Sequence, residues 1–269
     1  MTEKHLICLD LDGTLLTDDK TVLPYTKQIL AQLKKEGHEV IISTGRPYRA
    51  SESYYHELGL DAPIVNFNGA FIHHPTDDSF KEVHSPLDLD IARDIFKHVE
   101  HLNIQNIIAE VKDNVFLHYH DELLFEGFSM GNPIVKSGDL SMNLQECPTS
   151  ILIQAEEQHV PAIRAHLSDV YAEQIEHRRW GAPYPVIELV RTGISKAVGI
   201  QYISEYLNIK QENIIAFGDE DNDFEMIEYA GTGVAMGNAI QALKEKADTI
   251  TLSNDEDGIG QFLAQYFNI

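Results

Sequence analysis

Between His5 and Ala70, short apolar runs alternate with stretches whose apolar residues recur at helical spacing. HLICLDL reads as a buried strand. The segment opening at Pro24, PYTKQILAQLKKEG, reads as a helix with Ile29, Leu30 and Leu33 on one face and Gly37 at its stop. HEVIIST is a second strand, PYRASESYYHELG from Pro47 a second helix with proline in its first turn, and APIVNFNGA a third strand. The last third repeats the style. SKAVGIQYISEYL is helical and NIIAFGD is a strand. DFEMIEYAG, TGVAM, NAIQALKEKA and DTITLS are further helix and strand candidates, and GIGQFLAQYF is a helical tail. Strands alternating with helices predict an α/β fold with a doubly wound parallel sheet.

The stretch 84–190 differs. A helix (DLDIARDIFKHVEHL) is followed by strands around 105–119 and a strand at ILIQA. A second helix (PAIRAHLSDVY) precedes strands near EQIEHRRW and PVIELV. Helices and paired strands in that order predict an α+β insert with an antiparallel sheet, placed over the mouth of the first domain. The expected division is 1–83 with 191–269 as the core, and 84–190 as the insert.

At 269 residues with 43% hydrophobic content, the chain can bury a substantial core. Its formal charge of −23 argues against nucleic acid, whose phosphates are bound by Lys and Arg patches. The nearest basic run, HisArgArg at 177–179, is too short. An anionic small molecule can bind only where local cations overcome the global field. Cys8 and Cys147 sit in no CxxC or Cys/His cluster and read as two buried thiols in a reducing compartment. The N-terminal apolar run is soon interrupted by Asp10 and Asp12, unlike a signal peptide, and no run approaches the eighteen or so apolar residues of a membrane helix. The expectation is a cytoplasmic protein without membrane contact, monomeric or a small homo-oligomer.

In open α/β sheets, ligands lie beyond the carboxyl ends of the strands. The residues there are Asp10–Thr14, Ser43–Arg46, Asn68–Gly69 and the acidic loop GDEDNDFEM at 218–226. Residues i and i+2 of an extended chain point the same way, so Asp10 and Asp12 can face one site while Leu11 points elsewhere. Two carboxylates in different surroundings can split the roles of nucleophile and acid/base. The acidic loop packs Asp219, Glu220, Asp221 and Asp223 into five residues. Two carboxylates about 4 Å apart repel by roughly 4 kcal/mol at an effective dielectric near 20. Bringing Asp219 or Asp223 beside Asp10 and Asp12 therefore calls for a cation. An all-oxygen donor set favours Mg²⁺ over Zn²⁺. Glu220 and Asp221 can face water or the N-terminus of the next helix. Thr44 and Gly45 offer a hydroxyl and amides at an expected helix start, an anion-binding arrangement, and Lys196 opens a helix that could add positive charge.

Together these segments resemble the haloacid dehalogenase-like phosphohydrolases, in the Cof-type branch, over nearly the whole chain. AspLeuAspGlyThrLeuLeu is similar to the family's first motif, and SerThrGlyArg to the second with Thr44 in its hydroxyl position. AsnGlyAla at 68–70 fits the branch. IleGluLeuValArgThrGlyIleSerLys leads to the third-motif Lys196, and GlyAspGluAspAsnAspPheGluMet is similar to the fourth. GlyValAlaMetGlyAsnAla and SerAsnAspGluAspGlyIleGly resemble later signatures. Ala197 departs from the Gly frequent after the lysine, with little effect expected inside a helix. The resemblance implies a Rossmann-like core carrying a C2-type cap, and it implies roles. Asp10 would be the nucleophile that forms an aspartyl-phosphate. Asp12 would protonate the leaving alcohol and then activate water. Mg²⁺ would be held by the Asp10 carboxylate, the Asp12 carbonyl and Asp219, with Asp223 supporting the shell. Thr44, the Gly45 and Leu11 amides, Lys196 and Asn222 would hold the phosphoryl oxygens. The cap would close over the substrate. Arg46 and Asn68 are further substrate candidates.

The histidine pairs His73/His74, His98/His101 and His118/His120 lack ligand spacing and read as surface or satisfied side chains. Trp180 with Tyr184 could stack on a substrate ring or simply pack. Arg46 could touch substrate or pair with an acidic neighbour. The leading expectation is a Mg²⁺-dependent phosphatase of small phosphorylated metabolites: sugar phosphates, pyridoxal phosphate or a flavin nucleotide. A phosphosugar mutase and a metal-dependent binding protein of low turnover are the alternatives; the presence of Asp12 counts against the latter.

Overall fold

The computed structural model describes residues 3–98, 101–179 and 186–269. In chain order the strands are β1 (Leu6–Leu9), β2 (Glu39–Ile42), β3 (Ile64–Asn66), β4 (Phe71–His73), β5 (Val83–His84), β6 (Ile104–Val111) and β7 (Asn114–Leu117). They continue as β8 (Val135–Ser137), β9 (Ser150–Ala155), β10 (Ile175–Arg179), β11 (Val186–Arg191), β12 (Ile214–Gly218), β13 (Thr232–Ala235) and β14 (Thr249–Ile250). The helices are α1 (Pro24–Lys35), α2 (Glu52–Glu57), α3 (Leu89–Phe96), α4 (Glu122–Phe128) and α5 (Leu140–Asn143). After these come α6 (Val160–Tyr171), α7 (Lys196–Tyr206), α8 (Phe224–Tyr229), α9 (Gln241–Lys246) and α10 (Gly258–Phe267).

The chain divides into two compact units. The first comprises Met1–Arg46, Ser51–Val83 and Ser195–Ile269; the second comprises Pro47–Ala50 and His84–Ile194. The first unit holds a five-stranded sheet in the order β14-β13-β12-β1-β2, parallel throughout. β1 lies inside this sheet, between β12 and β2, and Leu6, Ile7, Cys8 and Leu9 are all fully buried, as a strand covered on both faces requires. The order of strands places the ends of β1 and β12 side by side, with Leu9 level with Phe217. The α1 helix starts at Pro24 and buries Thr26, Ile29, Leu30 and Leu33, one apolar face at helical spacing. Leu33 is fully buried, so truncation to Ala removes a side chain whose loss costs about 2–5 kcal/mol. Gly37, just past the helix, has φ +97°. It takes the left-handed conformation that ends many helices.

Three expectations are corrected here. The segment from Pro47 is not one helix: Tyr48–Ala50 form a 3₁₀ turn, Ser51 has φ −122°, and α2 begins only at Glu52. The third strand, β3, does not extend the parallel sheet. It pairs antiparallel with β4 and touches the end of the core sheet through a single Ser43–Val65 bridge. Cys8 is buried as expected, but Cys147 is exposed.

The second unit is built on a six-stranded sheet in the order β10-β11-β9-β6-β7-β8, antiparallel except where β7 meets β8. One face packs against α3 and α6 through Ile107, Ala109, Ile151, Ile153, Ile163 and Leu167. The other carries Ile108, Leu152 and Val186 against Leu124 and Phe128 of α4. The side chains alternate between these faces as strand pleating demands. The excursion α4-β8-α5 had no clear sequence signal. No helix among the described residues is long and apolar enough to cross a membrane.

Candidate active site

The candidate site forms at the carboxyl ends of β1 and β12. Asp10 follows β1, and its N–H donates to the Phe217 carbonyl of β12 at 3.3 Å. Asp219 follows β12 directly. Asp10, Asp219 and Asp223 each offer a carboxylate oxygen, all within 4.8 Å of one another, and their residue exposures are 5%, 8% and 0%. Pairwise repulsion at that spacing is about 3 kcal/mol at an effective dielectric of 20. Part of the compensation comes from Lys196, at the start of α7. Its fully buried ammonium donates to Asp10 Oδ1 at 2.6 Å and to Asp223 Oδ1 at 2.7 Å. Burial opposes its charge, but the two carboxylates outweigh burial and push its pKa up.

Local chemistry fixes each carboxylate. Asp223 Oδ2 accepts from the N–H groups of Asp219 at 2.9 Å and Glu220 at 3.1 Å. It is thus the inward-facing half of a reciprocal cap in which Glu220 caps the short turn Asp221–Asp223. This gives Glu220 a role at the turn and leaves it outside the carboxylate cluster. Asp219 Oδ1 accepts from the Thr14 hydroxyl at 2.8 Å. Gly13, at φ +74°, makes room: a Cβ there would stand 2.2 Å from Asp219 Oδ2.

Three carboxylates and one ammonium, all ionised, leave two net negative charges in a buried space. That excess charge bears on how the group ionises. Burial, reinforced by Asp223 and Asp219 and opposed by Lys196, raises the Asp10 pKa well above its ordinary value. Burial, reinforced by Asp223, lifts that of Asp219 to about 7. A divalent cation would cancel this excess, and the all-oxygen donors suit a hard one such as Mg²⁺. Among the described residues no histidine or cysteine joins this group.

Asp12 lies apart. Its carboxylate is 43% exposed and turned to Arg46, which grips it with two bonds: Nε to Oδ2 and Nη2 to Oδ1, each 2.6 Å. Lys20 Nζ adds a third contact at 2.8 Å. Burial pulls its pKa up, but Arg46 and Lys20 outweigh burial and hold it at about 2. Asp12 therefore stands outside the group of three carboxylates, with Arg46 and Lys20 as partners of its side chain. Arg46 takes the acidic-neighbour option, with Tyr54 stacked at 5.7 Å.

The remaining candidates fall in two groups. Asn222 Nδ2 donates to Asn68 Oδ1 at 3.0 Å, and the Asn68 N–H donates to the Thr44 carbonyl at 3.0 Å. Thr44 is buried, with its hydroxyl oxygen accepting from the Arg46 N–H at 3.1 Å. Asn68 adopts φ +53°, a conformation asparagine tolerates. Gly45 packs against the Asn68 amide. It does not start a helix, since α2 begins seven positions later (52 − 45). The Leu11 side chain is fully buried, away from solvent.

The sequence left Lys20 and Thr14 unassigned. Lys20 reaches Asp12 from the tip of a tight turn in which the Thr17 N–H bonds the Thr21 carbonyl and Lys20 itself has φ +59°. The later signatures also acquire a physical task. Asn238 Nδ2 donates to the Gly13 carbonyl at 2.7 Å and Asn254 Nδ2 to the Leu16 carbonyl at 3.0 Å, bracing the loop after Asp12. Three of these histidines have polar partners: His73 meets Asn66 Oδ1 at 3.2 Å, His118 accepts from the Leu140 N–H at 3.4 Å, and His120 meets Glu122 at 3.0 Å. Trp180 and Tyr184 lie outside the described residues.

A family model described as haloacid dehalogenase-like hydrolase matches residues 7–263. The chain is 54% identical, over 100% of its length and 99% of the relative's, to the 5-amino-6-(5-phospho-D-ribitylamino)uracil phosphatase YitU of Bacillus subtilis. It is 29% identical, over 96% of its length and 97% of the other chain's, to the pyridoxal phosphate phosphatase YbhA of Escherichia coli. The crystal structure of a haloacid dehalogenase-like hydrolase from Bacteroides thetaiotaomicron superposes with a TM-score of 0.86 at 26% identity, covering 98% of this chain and 100% of that one.

Proposed function

Because this chain belongs to the haloacid dehalogenase-like hydrolases, we propose that it is a Mg²⁺-dependent phosphatase that removes phosphate from small metabolites through an aspartyl-phosphate on Asp10. The observation that carries this reading is the buried cluster in which Lys196 ties Asp10 to Asp223 beside Asp219. Asp10, Asp219 and the carbonyl of Asp12 would hold the cation, with Asp223 behind them. When bound, the cation supplies charge neutralisation for the oxygens of the transferring phosphoryl group.

In the first step a carboxylate oxygen of Asp10 forms a bond to phosphorus, and the bond from phosphorus to the leaving alcohol breaks. Lys196 holds the nucleophile's orientation through Oδ1, and its charge faces the developing negative charge. Thr44, the Gly45 and Leu11 amides and Asn222 would hold the other phosphoryl oxygens. The proton for the leaving alcohol comes from Asp12. While Arg46 and Lys20 hold it ionised, Asp12 cannot supply that proton, so it must leave both before it serves as acid. In the second step water bonds to phosphorus while Asp12 takes its proton, the bond from phosphorus to the Asp10 oxygen breaks, and inorganic phosphate leaves with the Asp10 carboxylate restored.

For the substrate we favour 5-amino-6-(5-phospho-D-ribitylamino)uracil, on the 54% identity to YitU along the whole chain. The test is phosphate release from that compound, pyridoxal phosphate, flavin mononucleotide, hexose phosphates and p-nitrophenyl phosphate, with Mg²⁺ and with EDTA, for wild type and Asp10→Asn. Metal-dependent release led by the ribitylaminouracil ester, and lost in Asp10→Asn, is expected. Pyridoxal phosphate leading by tenfold would overturn the substrate assignment. Isomerisation of a hexose 1-phosphate without free phosphate would mark a mutase.

A further inference from the structure

The chain passes from one unit to the other at four places: 46/47, 50/51, 83/84 and 194/195. The last two bound the long insert. The first two bracket Pro47–Ala50, an excursion that starts one residue after the Arg46 that grips Asp12.

We propose that Pro47–Ala50 is a strap tying the second unit to the loop that carries Thr44, Gly45 and Arg46, and that Arg49 is the positioning residue that fastens it. The proposal rests on the phosphatase reading of the Asp10 site.

Both feet of the strap are fixed in the first unit by one side chain. Asn66, fully buried, donates from Nδ2 to the Arg46 carbonyl at 2.9 Å and to the Ser51 hydroxyl at 3.0 Å. The tip is fixed in the second unit at three points around Arg49. Its N–H donates to Asp113 Oδ1 at 2.8 Å, at the β6–β7 turn. Its guanidinium donates from Nη2 to Glu110 Oε1 at 2.5 Å, and Ser150 donates to the other Glu110 oxygen at 3.2 Å. Gly131, at φ +78°, lets a neighbouring turn close on the Arg49 backbone, where a Cβ would come within 2.8 Å of its carbonyl oxygen.

Cohesion alone does not account for an ion pair in this place. Both side chains are nearly sealed, at 5% and 3% exposure. A buried pair is often no more stable than apolar side chains of the same volume. Among the described residues, Arg49 Nε and Nη1 are also buried without a hydrogen-bond partner, so the guanidinium accepts a desolvation that a methionine would avoid. What the pair adds over apolar packing is direction. It fixes where residue 49 stands in the second unit, and only Pro47 and Tyr48 separate that point from Arg46. Three peptide bonds therefore join this fixed point to Arg46, and so to its two bonds with Asp12.

The test is a double-mutant cycle. The pair is replaced by apolar side chains of similar size, Arg49→Met with Glu110→Met, in the wild-type background and in Arg46→Met. kcat/KM is measured on p-nitrophenyl phosphate with Mg²⁺, and circular dichroism verifies the fold. If the strap acts through Arg46, cutting it lowers kcat/KM about tenfold, mainly in kcat, when Arg46 is present. In the Arg46→Met background the same cut changes it less than twofold. Equal factors in both backgrounds, or no fall in either, overturn the proposal, since a merely structural role multiplies independently. Should the paired replacement fail to fold, Asp113→Ala cuts the backbone tie and leaves the ion pair intact. Its expected threefold fall must also vanish in Arg46→Met. Should the wild type release no phosphate, the phosphatase reading fails, and the strap is judged by hydrogen exchange. Faster exchange of amides 44–46 in the Arg49→Met/Glu110→Met protein, with β1 and β12 unchanged, supports it; unchanged exchange at 44–46 overturns it.

Discussion

Lys196→Met removes the one ammonium from the carboxylate cluster and keeps the volume of the side chain. The ammonium stands 2.6 Å from Asp10 and 2.7 Å from Asp223, with no exposed surface. Each contact is worth about 6 kcal/mol of gross attraction at an effective dielectric of 20. Most of that is offset by the desolvation of three buried ions. Removing one partner of a buried pair typically costs a net 3–5 kcal/mol, because the remaining charge is left uncompensated. At a size near 270 residues that corresponds to a melting temperature lower by roughly 5–9 °C. Mg²⁺ should restore part of the loss, since ligand binding to the folded state stabilises it by mass action. It should restore more in Lys196→Met than it adds to the wild type, because the variant carries one more uncompensated negative charge. The assay is thermal unfolding followed by circular dichroism, in EDTA and in a Mg²⁺ series. An EDTA melting temperature equal to that of the wild type would refute the reasoning, as would a Mg²⁺ gain no larger than the wild type's. Either result would mean that the cluster is not held together by charge balance.

Gly13→Ala should leave the fold intact and weaken Mg²⁺ activation at least tenfold. The added Cβ collides with Asp219 Oδ2 at 2.2 Å, and alanine at φ +74° adds about 1–2 kcal/mol of backbone strain; a Mg²⁺ titration of activity reads it. Asn254→Ala leaves the Leu16 carbonyl without its donor and should cost about 1–3 kcal/mol in chemical denaturation. His38 gives a pH signature. It is 4% exposed, its Nδ1 accepts from the His5 N–H at 3.1 Å, and burial lowers its pKa below the usual 6.5, helped by His5 and Lys4 and opposed by Glu36. As pH falls below 6.5 the unfolded chain takes up a proton that the folded chain refuses, so stability falls, by at most about 1.4 kcal/mol per pH unit from this residue. His38→Gln, compared with wild type by denaturation at pH 7 and pH 5, should show a shallower decline; an equal decline would contradict the assignment.

The core was legible in the sequence because its signals are local. A sealed strand needs an unbroken apolar run, and the residues after it must be polar, so HLICLDLDG and NIIAFGDED announced both the strands and the site. Lys196 was legible from its place at the head of a helix. What escaped depends on contacts far apart in the chain. Strand periodicity relates Asp12 to Asp10, but it carries no sign of the guanidinium 34 residues away that holds the Asp12 side chain. Lys20 and Thr14 act only once the tight turn and the β12 loop have folded together. The segment after Pro47 carries helical spacing, yet Arg49 is drawn to Glu110, and tertiary bonding overrides local propensity.

The central claim is that Asp10 is phosphorylated during turnover. The most direct measurement is a single turnover with limiting phosphate-labelled substrate in Mg²⁺, quenched in acid within milliseconds; protein-bound label is counted in one portion, and in a second portion borohydride, which expels the phosphate and converts the acylated carboxylate to an alcohol, marks the modified residue for peptide mass spectrometry. The account predicts a transient acyl-phosphate on the peptide containing Asp10, reduced at that residue and absent in Asp10→Asn. Wild-type turnover with no protein-bound label at any quench time, or label on another residue, would contradict it.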